Sequence, residues 1–69
     1  MQKYYFTFGS GQVNEGKCQP IVASSREAAR DKMIELYGIE WAFCYTEEEW
    51  LEPLPYGMPK EVELSTIYV

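Results

Sequence analysis

The sequence contains no histidine, so it lacks the side chain that enzymes use most often as a general base and metal ligand. Its two cysteines, Cys18 and Cys44, have no base to form a thiolate, and their separation does not fit a zinc-ligand pattern. No pair of carboxylates stands in a predicted cleft. We therefore expect a protein that is not an enzyme and that needs no cofactor and no metal ion.

Positive charge is also scarce, with six Lys and Arg residues against eleven Asp and Glu residues. Residues 1–32 hold five basic and three acidic side chains, a net charge of +2, whereas residues 33–69 hold eight glutamates and one lysine, a net charge of −7. Phosphates are normally met by clustered Lys and Arg, so we expect no direct binding of nucleic acid. A basic protein surface is the partner that this charge favours.

Long apolar runs are missing as well. None approaches the roughly 20 residues that a membrane-spanning helix needs, and the opening Met-Gln-Lys-Tyr-Tyr does not resemble a signal peptide. These features predict a cytosolic protein without a membrane partner, in which the cysteines stay reduced. A length of 69 residues predicts a single domain, 1–69, near the lower size limit for an independent core.

One long helix is predicted between Ser24 and Gly38. Ser24 and Glu27 have the spacing of a capping box, and Gly38 suits the left-handed residue that ends a helix. The helical spacing predicts one apolar face toward a sheet, made of Ala29, Met33, Leu36 and Tyr37.

Strands are predicted on both sides of this helix. Lys3–Phe8 alternates with period two and is expected at the sheet centre. A second strand is expected to begin at Pro20, and a third over Trp41–Tyr45, with three aromatic residues on one face: Trp41, Phe43 and Tyr45. The fold class is therefore α+β, a small antiparallel sheet of three to four strands in the order β-β-α-β-β, packed on one helix at about 25–37.

The second half contains a short helical turn, a proline-rich segment and a tail. Thr46 and Glu49 repeat the capping-box spacing, which predicts a turn of helix through Trp50. Residues 53–60 are rich in proline and predict an irregular belt over the surface, while 61–69 predicts an edge strand.

The loop after the first strand contains a pattern that resembles a phosphate-binding loop. Gly11–Cys18 matches the spacing G-x-x-x-x-G-K. Such a loop needs a following helix whose amides point at the phosphates, but a strand is predicted here, and Glu15 would stand beside the anion. We therefore expect no nucleotide site in this loop.

The glutamate run before Pro53 is the most suggestive surface feature. It could be a solvated helical turn with Trp50 packed inward, since charged runs usually face water. It could also be an anionic patch with an aromatic anchor that binds a basic surface of another protein. For that role we predict five partner-binding residues: Glu47, Glu48, Glu49, Trp50 and Glu52.

Two alternatives place the function elsewhere. In the first, a homodimer encloses a nucleotide-derived signalling molecule between aromatic faces. Its phosphates would pair with Lys17, Arg26 or Arg30, and Tyr5 is the aromatic residue predicted to contact it. In the second, the chain is a small homo-oligomer with a purely structural role.

Four short motifs of the chain are similar to motifs found in a group of other proteins. They are YYFTFG at 4–9, EAAR at 27–30, WAF at 41–43 followed by Tyr45, and EEEW at 47–50. Over residues 4–50 the chain resembles a group of very short proteins encoded by phages and prophages of Gram-positive bacteria. The resemblance implies an accessory protein in the cytoplasm of a bacterial host, acting by stoichiometric binding to inhibit a defence protein such as a CRISPR, restriction or signalling component. It brings no catalytic or ligand residues with it.

Overall fold

A computed structural model describes residues 1–51, except the Leu51 side chain, and residues 62–69. In chain order the elements are β1 (Gln2–Thr7), β2 (Lys17–Ala23), α1 (Arg26–Tyr37), β3 (Phe43–Thr46), α2 (Glu47–Leu51), β4 (Val62–Glu63) and β5 (Ile67–Tyr68). The fold is α+β, as expected. Glu52, the proline-rich segment 53–60 and the first residue of the expected edge strand lie outside the described residues.

The sheet is mixed rather than antiparallel. β1 lies between β2 and β3 and runs antiparallel to both, which confirms its expected central position. β4 and β5 lie on the far side of β2 and run parallel to it. The chain leaves β3 at Thr46, beside Tyr4, and re-enters the sheet at Val62, beside Lys17, which is at the opposite end. β4 must therefore run in the direction of β2.

Pro20 lies inside β2 rather than at its start, and it explains why the tail forms two strands. The Leu64 N–H donates to the Cys18 carbonyl and the Val69 N–H to the Val22 carbonyl, both at 2.9 Å. Pro20 lies midway between these two acceptors, so its ring nitrogen faces the tail without a hydrogen to donate. The hydrogen bonds between β2 and the tail are therefore interrupted at Pro20, and they resume with β5.

A buried glutamine bridges this interruption. Gln19 is 2 % exposed, and its Nε2 donates to the Ser65 carbonyl at 2.7 Å and to the Pro20 carbonyl at 3.0 Å. Its Oε1 accepts a hydrogen bond from the Tyr37 hydroxyl at 2.8 Å. One side chain thus joins α1, β2 and the tail.

The core lies between α1 and one face of the sheet. Phe6 meets Trp41 edge-on with a ring-centroid distance of 5.2 Å, and Phe8 meets Tyr37 in the same way at 5.1 Å. The buried residues of this cluster are Tyr4, Phe6, Phe8, Ile21, Ala23, Ala29 and Met33.

The predicted apolar face of α1 was wrong at Leu36, which is 45 % exposed, although Ala29 and Met33 are buried. Leu36 lies roughly 60° around the helix axis from Met33. It also lies in the last turn, so the narrow sheet does not cover it.

The cap of α1 also differs from the prediction. The Ser25 hydroxyl, not that of Ser24, accepts a hydrogen bond from the Ala28 N–H at 3.1 Å. At the other end Gly38 has the expected positive φ of 62° and donates its N–H to the Ile34 carbonyl. Neither described helix combines the length and the apolar character that crossing a bilayer requires.

Trp41 was wrongly placed in the third strand and on the same face as Phe43 and Tyr45. Its indole N–H donates to the Gly38 carbonyl at 3.1 Å, and its ring packs against Phe6 on the side of α1. The turn after Gly38 therefore holds Trp41 before the strand begins, and regular pairing starts only at Phe43.

Candidate functional site

The start of α2 is fixed by a reciprocal capping box. The Thr46 N–H donates to Glu49 Oε1 at 2.8 Å, and the Glu49 N–H donates to the Thr46 hydroxyl at 3.1 Å. This confirms the prediction from their spacing. The Thr46 N–H is the main cause that lowers the pKa of Glu49, followed by the Thr46 hydroxyl and, more weakly, by Arg26. An Arg26 nitrogen lies 3.7 Å from the Glu49 carboxylate.

The end of α2 is held by an aromatic stack. The Trp50 ring lies parallel to that of Tyr5, with centroids 5.0 Å apart and an interplanar angle of 8°. It also contacts Tyr45 at 5.7 Å. Tyr5 is only 4 % exposed, so α2 covers part of the sheet face opposite α1. Trp50 is half-buried in this position, and its use as an anchor for a partner stays a prediction.

Glu47 and Glu48 are exposed and line an open cleft of about 540 Å³ at the end of the sheet where β1 begins. The remaining lining residues are Met1, Gln2, Lys3, Val22 and Thr46. The antiparallel pairing of β1 with β3 brings the first residues of the chain beside the start of α2. Sequence reasoning missed this neighbourhood, because no local pattern links the chain start to the glutamate run.

Lys3 supplies positive charge at one side of this cleft. Its ammonium nitrogen lies 5.2 Å from the centroid of the Tyr5 ring. A hydrogen bond with Tyr5 is the main cause that raises the pKa of Lys3; burial opposes it, and the negative charges of Glu63 and Glu47 add to it. Lys3 therefore stays charged beside the Tyr5 ring and contributes a cation to the lining of the cleft.

The predicted partner-binding residues are only partly brought together. Glu49 turns toward Thr46 and Arg26, whereas Glu47 and Glu48 have no ion pair within the part of the chain that the structure describes. Glu52 lies outside the described residues. Two carboxylates of the run are thus available to an incoming cation.

Within one chain, the residues proposed for a nucleotide-derived ligand lie apart, and their use in a homodimer stays a prediction. Arg26 and Arg30 lie one turn apart at the start of α1, which follows the end of β2. Lys17 lies at the beginning of β2, and the two ends of this strand are about 20 Å apart. Tyr5 lies on the opposite face of the sheet from α1, beneath Trp50.

The loop that resembles a phosphate-binding loop is occupied by its own carboxylate. Glu15 accepts hydrogen bonds from the Gly11 N–H at 3.1 Å and the Ser10 hydroxyl at 3.5 Å. Gln12 Oε1 accepts from the Gly9 N–H, and its Nε2 donates to the Trp41 carbonyl at 3.4 Å. Glu15 and Gln12 therefore both form hydrogen bonds with backbone groups of this loop.

The two cysteines are not joined by a disulfide. Burial raises the pKa of the Cys44 thiol, and the opposing effect of Arg26 is smaller. Cys44 is therefore protonated at neutral pH and is a poor nucleophile. Across residues 1–51 and 62–69, no three side chains of the metal-binding types are grouped to hold an ion.

Comparison with known proteins adds no further constraint. No protein-family model, curated protein or solved structure matches the chain. The resemblance to short phage proteins consequently rests on the sequence motifs alone, and the site is interpreted from its own geometry.

Proposed function

We propose that this chain is a non-enzymatic accessory protein that binds a basic surface of a bacterial protein stoichiometrically and inhibits it. The observation that carries the proposal is the pair Glu47 and Glu48. Both are exposed, both line an open cleft, and neither is engaged in an ion pair among the described residues.

The contacts that hold α2 in place support a binding role for these two carboxylates. The helix is fixed at its start by the Thr46–Glu49 box and near its end by the stack of Trp50 on Tyr5. Side chains presented from a fixed backbone lose less entropy on binding than side chains on a mobile loop. The net charge of −7 over residues 33–69 also favours rapid encounter with a basic partner.

The biological setting comes from the resemblance to phage and prophage proteins. A protein from such a source meets the defence proteins of its bacterial host, and those that act on nucleic acid carry basic surfaces. An acidic protein that covers such a surface would block access to it. We therefore propose an anti-defence role, with a CRISPR, restriction or signalling protein as the target.

Affinity capture from a bacterial lysate with matched variants tests this proposal. The Glu47→Gln/Glu48→Gln variant should lose the partner that the wild-type chain retains. The Glu27→Gln/Asp31→Asn variant removes the same charge from exposed positions of α1 and should retain it. Equal capture by the two variants would contradict the proposal, provided that circular dichroism shows both to be folded.

The alternative function, a homodimer that sequesters a nucleotide-derived signalling molecule, has less support. Its predicted ligand residues are spread over both faces and both ends of the sheet of one chain. Thermal melting with a panel of cyclic and ADP-ribose-type nucleotides tests it directly. A ligand specific for the folded chain would raise the melting temperature with its concentration.

A further inference from the structure

β3 forms one border of the sheet. It pairs with β1 on one side, and within residues 1–51 and 62–69 no strand pairs with its other side. A strand in this position presents backbone N–H and C=O groups to which an extended segment can add.

The capping box identifies the backbone groups that point outward. The Thr46 N–H donates to Glu49 and so does not pair with β1. Since backbone groups alternate in direction along an antiparallel strand, the N–H and C=O of Cys44 point to the same outer side. Glu49 therefore closes the outer edge at Thr46, while Cys44 offers one donor and one acceptor.

Aromatic side chains flank this open position. Phe43 is 63 % exposed, and its ring lies 6.4 Å from that of Tyr45 on the face away from the core. An added strand with apolar residues on this face would cover Phe43 and extend the contact to Tyr45.

The negative charges at both ends of β3 favour the addition of a basic segment. Glu40 precedes β3, and Glu47 and Glu48 follow it, all three exposed. A second copy of the chain, added antiparallel, would bring its own glutamates to the same ends of the strand. Like charges oppose that arrangement, whereas Lys or Arg at the ends of an added segment would be attracted.

We propose that β3 binds an extended segment of the partner protein in which alternating apolar residues are flanked by Lys or Arg. Backbone hydrogen bonds to Cys44 would fix the register, Phe43 and Tyr45 would contact the apolar residues, and the negative charges at the two ends of β3 would attract the flanking cations. This inference rests on the proposed function and specifies how the partner is recognised.

Three capped peptides test the inference by NMR titration of the ¹⁵N-labelled chain. Ac-KTVTVTK-amide should shift the amide signals of Phe43–Thr46. The same peptide with an N-methyl group on its central threonine should bind about tenfold more weakly, because it loses the donor opposite Cys44. Ac-ETVTVTE-amide, with glutamate at both ends, should be weaker still.

Two results would overturn strand addition. One is equal binding of the N-methylated and parent peptides, and the other is absence of binding by the parent peptide. Either result leaves the proposed function intact if lysate capture still depends on Glu47 and Glu48. As a second check on the protein side, Phe43→Thr should weaken the parent peptide severalfold while leaving the circular dichroism spectrum unchanged, because Phe43 is exposed.

Discussion

Replacing Trp50 with alanine tests whether α2 is part of the folded unit. The indole stacks on Tyr5 at 5.0 Å, contacts Tyr45 at 5.7 Å and is half-buried. A fully buried Trp→Ala change costs about 3–5 kcal/mol, and an aromatic pair contributes about 0.5–1.5 kcal/mol beyond area burial. For a half-buried ring we expect a loss of about 2–3 kcal/mol in the free energy of unfolding.

Urea denaturation followed by circular dichroism measures this loss. For a domain of this size, 1 kcal/mol corresponds to roughly 4–8 °C in melting temperature, so Trp50→Ala should melt about 10–20 °C below the wild type. Trp50→Phe keeps a ring over Tyr5 and should lose less than half as much stability. A Trp50→Ala variant within about 0.5 kcal/mol of the wild type, the range of ordinary surface changes, would refute the role of the stack.

Three further predictions concern two substitutions, at Gln19 and Glu49, and the reactivity of Cys44. Gln19→Met removes hydrogen bonds to Tyr37 and to the tail, and we expect urea denaturation to show a loss of about 2–3 kcal/mol, because buried partners are left unsatisfied. Glu49→Gln should be less stable than the wild type at neutral pH. Because the pKa of Glu49 is lowered, its carboxylate stabilises the fold above the ordinary carboxyl pKa, and this stabilisation is lost as the pH falls through the pKa of the folded state. The melting temperatures of Glu49→Gln and the wild type should therefore converge in acid. A difference that stays constant with pH would contradict this. Cys44 should react with iodoacetamide more slowly than a small free thiol at neutral pH, since burial raises its pKa; reaction at an equal rate would contradict that.

Local sequence patterns predicted the parts of the fold that depend on neighbouring residues. Thr46 and Glu49 satisfy each other within one helical turn, so their spacing alone was sufficient. Gly38 ends α1 with a positive φ, which glycine adopts at little cost because it has no Cβ. The alternation in Lys3–Phe8 likewise predicted the central strand.

Features that depend on distant parts of the chain were not predicted. The split of the tail into two strands follows from where Pro20 meets it across the sheet, and Pro20 is far from the tail in sequence. The cleft beside Glu47 and Glu48 includes Lys3 only because β1 and β3 are paired. Pairing of this kind is decided by the packing of the whole domain rather than by any local spacing.

The central claim is that Glu47 and Glu48 bind a cationic surface, and the most direct test is a calorimetric titration of the captured partner. We predict that Glu47→Gln/Glu48→Gln raises Kd by about tenfold or more and that the difference shrinks in high salt. The Glu27→Gln/Asp31→Asn control should stay within about twofold of the wild type. Equal Kd values for the wild type and Glu47→Gln/Glu48→Gln at low salt would contradict the claim.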